Sequence, residues 1–245
     1  MMNLNWIEVG IKDADQTIVF LHEGLGCIEM WRDYPNELCL RTNSRGIIYD
    51  RAGYGKSPGS LKGRKADYLH LAADELQDLA QHFNLKNFIL YGHSDGGSIS
   101  LIHAAKYPTN VKALITEAAH AFNEDVTIEG VLAARPLLKE GKMDGLKKYH
   151  GQRYGEVFHA WNDIWLDDTF KEWNIEDEIV HILAPNLIIQ GEDDQYGTLR
   201  QVDRICEITK GKSQSFKPKN CGHAPFKEQR EQVLEITSNF INELN

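Results

Sequence analysis

The sequence predicts an α/β architecture: a mostly parallel central sheet flanked by helices, with a helical segment inserted between two of its strands. Three observations carry this expectation. Short apolar runs alternate with amphipathic stretches up to Ala118, the order that builds a parallel sheet covered on both faces. A glycine-flanked turn, Gly92-His93-Ser94-Asp95-Gly96, joins one buried run to a helical one. The alternation stops between residues 120 and 180, where charges and aromatics take over, and it resumes with the apolar run 185–190.

Taken in order, residues 6–9 alternate like a half-buried strand. Residues 12–16 form a polar turn, and residues 17–21 a more buried strand that runs into the glycine-rich loop His22-Glu23-Gly24-Leu25-Gly26-Cys27. Residues 46–50 are a third strand, followed by the turn-rich loop 51–59. Residues 66–83 set Leu69, Ala72, Leu76, Leu79, Ala80 and Phe83 at helical spacing, with Asn84 as the stop. The apolar run beginning at Phe88 reads as a buried strand, residues 97–107 as a helix halted by Pro108, and residues 111–116 as the next strand. Residues 1–119 and 181–245 are therefore expected to form one core, and residues 120–180 a helical cap. The aromatics of that cap, Phe122, Tyr149, Tyr154, Phe158, Trp161, Trp165, Phe170 and Trp173, suit packing against the core or the lining of a ligand pocket. A helix over 199–209, a strand over 213–217 and a closing helix over 228–244 complete the chain.

With 245 residues the chain can bury a substantial core. Its formal charge of -9 argues against a nucleic-acid partner, which needs a basic face. No apolar run approaches the roughly 20 residues that span a bilayer, so no membrane partner is expected. The stretch from Met1 to Trp6 lacks the basic and apolar regions of a secretory leader, and Cys27, Cys39, Cys206 and Cys221 have no C-x-x-C spacing. Free thiols and a cytoplasmic location are the expectation. Two nucleotide signals fail: Asp50 stands where a phosphate loop ending in Gly55-Lys56-Ser57 needs its first glycine, and Pro58 breaks a G-x-G-x-x-G begun at Gly53. No histidine pair has metal-ligand spacing, so neither a metal nor a cofactor is expected.

The Ser94 turn fits G-x-S-x-G, in which flanking side chains would collide with a sharp strand-to-helix turn and the serine stands at the start of a helix. A neutral serine needs an imidazole to take its proton, that imidazole needs a carboxylate to hold its tautomer, and the tetrahedral oxyanion needs two N–H donors. Strand-end loops supply the types in the order Ser94, then Asp193 and Asp194, then His223.

These residues give the chain a resemblance to the α/β-hydrolase superfamily from end to end. Asp50-Arg51-Ala52-Gly53-Tyr54-Gly55-Lys56-Ser57 resembles its D-x-x-G-x-G-x-S loop, Gly191-Glu192-Asp193-Asp194 its acid turn, and Gly222-His223-Ala224-Pro225 its histidine loop. The resemblance implies a serine hydrolase with Ser94 as nucleophile, His223 as base and Asp194 as acid; Asp193 and Glu117 are the alternatives for the acid. It also implies oxyanion donors at Asp95 and at Gly24, with Leu25 next; Glu23 stands where the common H-G-x pattern has glycine. His93 is expected to pack beside the turn, His22 to shape its loop, and His120 to face the cleft. Ser94-Asp95-Gly96-Gly97 is similar to the biphenyl hydrolase-like, valacyclovir hydrolase-like branch, where the Asp after the nucleophile recognises the α-amino group of amino-acid esters. Asp95 would then bind an ammonium, or else merely satisfy N–H groups of its helix. Glu23, Glu117 and His120 are the further candidates for contact with a small-molecule substrate. An ester, thioester or amide is the expected substrate class. Relatives that cleave C–C bonds or perform perhydrolysis with the same triad, and a non-catalytic binding protein on the same scaffold, are the alternatives. The oligomeric state, monomer or dimer, stays open.

Overall fold

The computed structural model describes residues 3–244. Met1 and Met2, part of the stretch without a leader pattern, and Asn245, the end of the second core segment, lie outside them. Seven strands form one sheet: β1 (Trp6–Gly10), β2 (Gln16–Leu21), β3 (Ser44–Tyr49), β4 (Phe88–His93), β5 (Val111–Glu117), β6 (Asn186–Ile189) and β7 (Ser213–Phe216). Their order is β1-β3-β2-β4-β5-β6-β7. β1 runs antiparallel to β3 and every other pair is parallel.

Successive strand residues point to opposite faces, and both faces are covered, so the central strands are apolar throughout. Ile18, Phe20, Ile89, Tyr91, Ala113 and Ile115 pack with Tyr34 and Leu38 of α1 (Tyr34–Arg41) and Val233, Leu234 and Phe240 of α10 (Arg230–Asn242). Val19, Leu21, Leu90 and Leu114 pack on the other face. Their partners are Leu69, Leu76 and Leu79 of α2 (Tyr68–His82), Ile99 and Ile102 of α3 (Asp95–Lys106), and Val202 and Ile205 of α8 (Arg200–Ile208). Asn84 adopts φ 51°, a left-handed residue just past the end of α2.

Two elements differ from the sequence expectation. α1 was not anticipated; Pro35 sits in its first turn, where a missing N–H does no harm. The closing helix is two pieces, α9 (Pro225–Glu228) and α10, because Gln229 between them leaves the helical region with φ -125° and ψ 44°.

Between β5 and β6 the chain is helical: α4 (Asp125–Lys139), α5 (Lys147–His150), α6 (Tyr154–Trp165) and α7 (Glu176–Ile179). This segment leaves and returns at one point, tied by a Phe122–Asn174 bridge and by Asn123 N–H to the Trp173 carbonyl (3.0 Å) and Ile175 N–H to the Ala121 carbonyl (2.8 Å). Its aromatics stack on one another: Phe170 lies face to face with Trp173 at 5.1 Å and edge-on to Trp165 at 4.9 Å.

After β2 the chain moves to β3 on one side and then returns to β4 on the other, so β2 and β4 flank a topological switch point. In such sheets the crevice beyond the carboxyl ends of those strands takes the ligand. Leu21 pairs with Gly92, which brings the His22–Cys27 loop beside the Ser94 turn.

Candidate active site

Ser94 occupies φ 54° and ψ -120°, a region that side-chain-bearing residues avoid. The turn is held by Ser94 N–H donating to the Glu117 carbonyl at 2.8 Å. Its glycines are steric requirements. A Cβ on Gly92 would stand 2.2 Å from the Gly96 carbonyl oxygen, and one on Gly96 2.1 Å from that of Leu21. The cost of the strained serine is thus imposed by the close approach of β2, β4 and α3.

Three loop ends converge on that serine. His223 Nε2 lies 2.9 Å from Ser94 Oγ, and His223 Nδ1 lies 2.9 Å from both Asp194 oxygens. The imidazole therefore carries its proton on Nδ1 and presents Nε2 as acceptor to the serine hydroxyl. Asp194 Oδ1 also accepts the Tyr196 N–H at 2.9 Å. Burial alone would raise the Asp194 carboxyl, but the charge and hydrogen bond of His223 and the Tyr196 N–H outweigh it and hold it below the ordinary value. Burial lowers the His223 imidazole, yet Asp194, then Glu23 and Asp95, bring it above its ordinary 6.5. Asp193 does not reach the histidine; its N–H donates to the Cys221 carbonyl at 2.9 Å.

The other candidates separate. Glu117 is not a substrate contact and does not orient His223. It is fully buried, one oxygen takes the Tyr91 hydroxyl, and the other takes the Phe226 N–H at 2.9 Å. Burial pushes its carboxyl up to about 7. His93 donates to the His223 carbonyl at 2.7 Å, and burial, with His223 beside it, drives it down to about 3. His120 donates Nε2–H to the Tyr196 carbonyl at 2.9 Å and lines the cavity over Ser94. Asp95 is 1 % exposed, and neither of its oxygens accepts a hydrogen bond among the described residues. It is therefore no helix cap; Arg51 Nη1 stands 3.7 Å from it.

The Glu23 carbonyl accepts from His22 Nδ1 (2.8 Å), Arg51 Nη2 (2.8 Å) and the Gly26 N–H (3.1 Å). Glu23 itself is half-buried. Gly24 is pressed against its neighbours: a Cβ there would meet Trp161 Cδ1 at 2.4 Å and Asp95 Oδ2 at 3.2 Å. The N–H groups of Gly24, Leu25 and Asp95 donate to no other described residue. The Leu25 carbonyl is held by His150 of α5 at 2.9 Å, whose other nitrogen accepts the Gly55 N–H at 3.1 Å.

The cavity over Ser94 is about 20 Å³, lined by His120, Thr127, Val131, Trp161, Trp165, Tyr196 and His223. On this measure, the room open to a water's centre, about 10–15 Å³ suffices for one water, so the cavity admits a water and little more. Arg51, Tyr196, Thr127 and His150 were not singled out from the sequence; only Arg51 carried a signal, as part of the D-x-x-G-x-G-x-S loop.

A serine, histidine and carboxylate in hydrogen-bonded series at the carboxyl edge of a parallel sheet define a class of α/β enzyme. A family model described as the alpha/beta hydrolase fold matches residues 16–167. The chain belongs to the α/β-hydrolase family and is an enzyme of that fold. It is 27 % identical over 199 residues to serine hydrolase BPHL of Homo sapiens, covering 77 % of this chain and 67 % of that protein. It is 24 % identical over 278 residues to a proline iminopeptidase of Saccharolobus solfataricus, covering 96 % of this chain and 87 % of that one. Among solved structures, an esterase from Exiguobacterium antarcticum shares the fold with a TM-score of 0.76 at 22 % identity, covering 97 % of this chain and 95 % of its own. Among the described residues no helix is long and apolar enough to cross a membrane.

Proposed function

We propose that the chain is a serine hydrolase that cleaves a small ester, thioester or amide through an acyl-enzyme. The observation that carries this is the continuous Ser94 Oγ–His223 Nε2 and His223 Nδ1–Asp194 geometry, each step 2.9 Å, on a strained strand-to-helix turn. Ser94 Oγ bonds to the carbonyl carbon as His223 Nε2 takes its proton, and Asp194 offsets the imidazolium charge. The carbonyl oxygen becomes the oxyanion and receives the free N–H groups of Asp95 and Gly24, with Leu25 next in the loop. His223 then protonates the leaving alcohol, thiol or amine, and a water activated by the same imidazole releases the acid and restores Ser94.

Asp95 supports a finer assignment. A buried carboxylate beside the nucleophile with no hydrogen bond to its oxygens is a costly arrangement unless a ligand group completes it. An α-ammonium one carbon from the scissile carbonyl is of the right charge and reach. The nearest protein cation, Arg51 at 3.7 Å, stands beyond ordinary hydrogen-bond distance. The similarity to serine hydrolase BPHL and to proline iminopeptidases accords with amino-acid esters or amides as substrates. The helical segment 120–180 acts as a cap, because Trp161 and Trp165 of α6 stand over the cavity.

The test is covalent labelling with a small fluorophosphonate and peptide mapping, with Ser94→Ala as control. Labelling confined to Ser94 is expected. A folded protein that never labels would remove the acyl-enzyme mechanism and favour the non-catalytic alternative.

A further inference from the structure

The Glu23–Gly24 peptide is held from one residue by two routes. Arg51 Nη2 donates directly to the Glu23 carbonyl at 2.8 Å. The backbone N–H of the same Arg51 donates to His22 Nε2 at 3.1 Å, which leaves the ring proton on Nδ1, and Nδ1 donates to that same carbonyl at 2.8 Å. In a trans peptide the N–H points opposite to the C=O. A carbonyl clamped toward Arg51 and His22 therefore turns the Gly24 N–H the other way, and that N–H has no partner among the described residues. The other end of the guanidinium faces Asp95, the residue that carries the second donor, at 3.7 Å. Its face lies over the Tyr54 ring at 4.5 Å, and the residue is 2 % exposed.

We propose that Arg51 is a positioning residue for the oxyanion hole: its side chain and, through His22, its backbone fix the Glu23 carbonyl, orient the Gly24 N–H toward the oxyanion on Ser94, and brace the Asp95 side of the same hole. The inference rests on the serine-hydrolase reading above. It also accounts for Glu23 standing where glycine is usual. With a side-chain-bearing residue at that position, the peptide that follows it is kept in the required orientation by the clamp rather than by backbone freedom. A planar guanidinium spans the carbonyl and the carboxylate together, which the single ammonium of lysine does not.

The experiment compares wild type, Arg51→Lys, and Arg51→Met combined with Asp95→Asn, which removes both buried charges together. Each is quantified by fluorophosphonate active-site titration and then assayed with a small p-nitrophenyl ester and with phenylboronic acid, whose tetrahedral adduct places an oxygen in the hole. Arg51→Lys is expected to keep KM within about threefold while kcat falls about tenfold or more. The boronic acid inhibition constant should rise by the same factor as kcat/KM falls. A merely structural role would lower the titrated site count and leave kcat per site and boronate affinity at wild-type values, and that result in either variant that folds overturns the proposal. Absence of labelling in wild type would instead defeat the hydrolase reading itself.

Discussion

His223 Nε2 meets Ser94 Oγ at 2.9 Å although 129 positions of chain separate the two residues. The contact exists because β4 and the loop after β7 both end at the same edge of the sheet. Ser94→Ala removes the only atom that this geometry activates. Turnover of any ester substrate should fall by about 10⁴-fold or more, in line with loss of a triad member. The thermal midpoint should stay within a few degrees, since the change deletes one oxygen at the cavity wall. Stopped assays with purified variant and a melting curve test both parts. Residual activity near wild type would mean that another group is the nucleophile.

The base must be neutral to accept the serine proton. The environment raises the His223 imidazole above 6.5, with Asp194 the largest raising influence. kcat/KM should therefore fall as pH drops through an inflection above 6.5. Asp194→Asn removes that support, so the inflection should move down and kcat should fall about 10⁴-fold, as for a triad whose histidine loses its tautomer. A pH–rate profile of both forms reads the two effects. An acid limb that stays in place in the variant would argue that Asp194 does not face His223 in solution.

Asp95→Asn keeps the shape of the side chain and removes its charge. The ratio of kcat/KM for an alanine ester to that for the matching propionate ester should fall about tenfold or more, as expected for loss of a charge-assisted contact. An unchanged ratio would leave the ammonium assignment without support while leaving the triad untouched.

The candidate catalytic residues were legible because their constraints are local. Ser94 needs glycines two positions either side of it, and Asp194 and His223 follow strand ends that the apolar pattern reveals. α1 was hidden because Leu40, 55 % exposed, stands next to the buried Cys39 and blurs the apolar stripe over a short helix. Glu117 misled for a different reason. A carboxylate at the end of a central strand looks like a site residue, and only the folded chain supplies Tyr91 and the Phe226 N–H that occupy it. Arg51 was likewise illegible as a positioning group, since the carbonyl it holds lies 28 residues away.

Glu117 has a consequence for stability. Burial raises its carboxyl from 4.5 to about 7 in the folded chain. Between these values the folded state binds a proton that the unfolded state has lost, so the contribution of this group is full below pH 4.5 and declines as pH rises to about 7. A difference of this size corresponds to about 3 kcal/mol. Glu117→Gln cannot titrate, so its stability relative to wild type should improve by up to that amount between pH 4.5 and pH 7.5. Urea denaturation at both pH values measures it. A relative stability that stays constant would mean the carboxyl is ionised in the native state throughout.

Trp161 limits what can stand on Ser94. It lines the cavity of about 20 Å³, packs edge-on to Tyr196 at 5.9 Å, and lies against Gly24. Trp161→Ala should therefore enlarge the space on the acyl side of the nucleophile. It should also destabilise the fold by about 3 kcal/mol or more, as truncation of a buried tryptophan does. With p-nitrophenyl esters from acetate to octanoate, the ratio of kcat/KM for the longest to the shortest chain should rise about tenfold or more. The gain follows from burying several added methylenes at about 0.8 kcal/mol each, offset in part by their ordering. A ratio that does not change would place the acyl chain on another path, away from α6. A fall in activity toward every ester in equal proportion would instead point to the contact with Gly24, since loss of the indole frees the loop that carries an oxyanion donor.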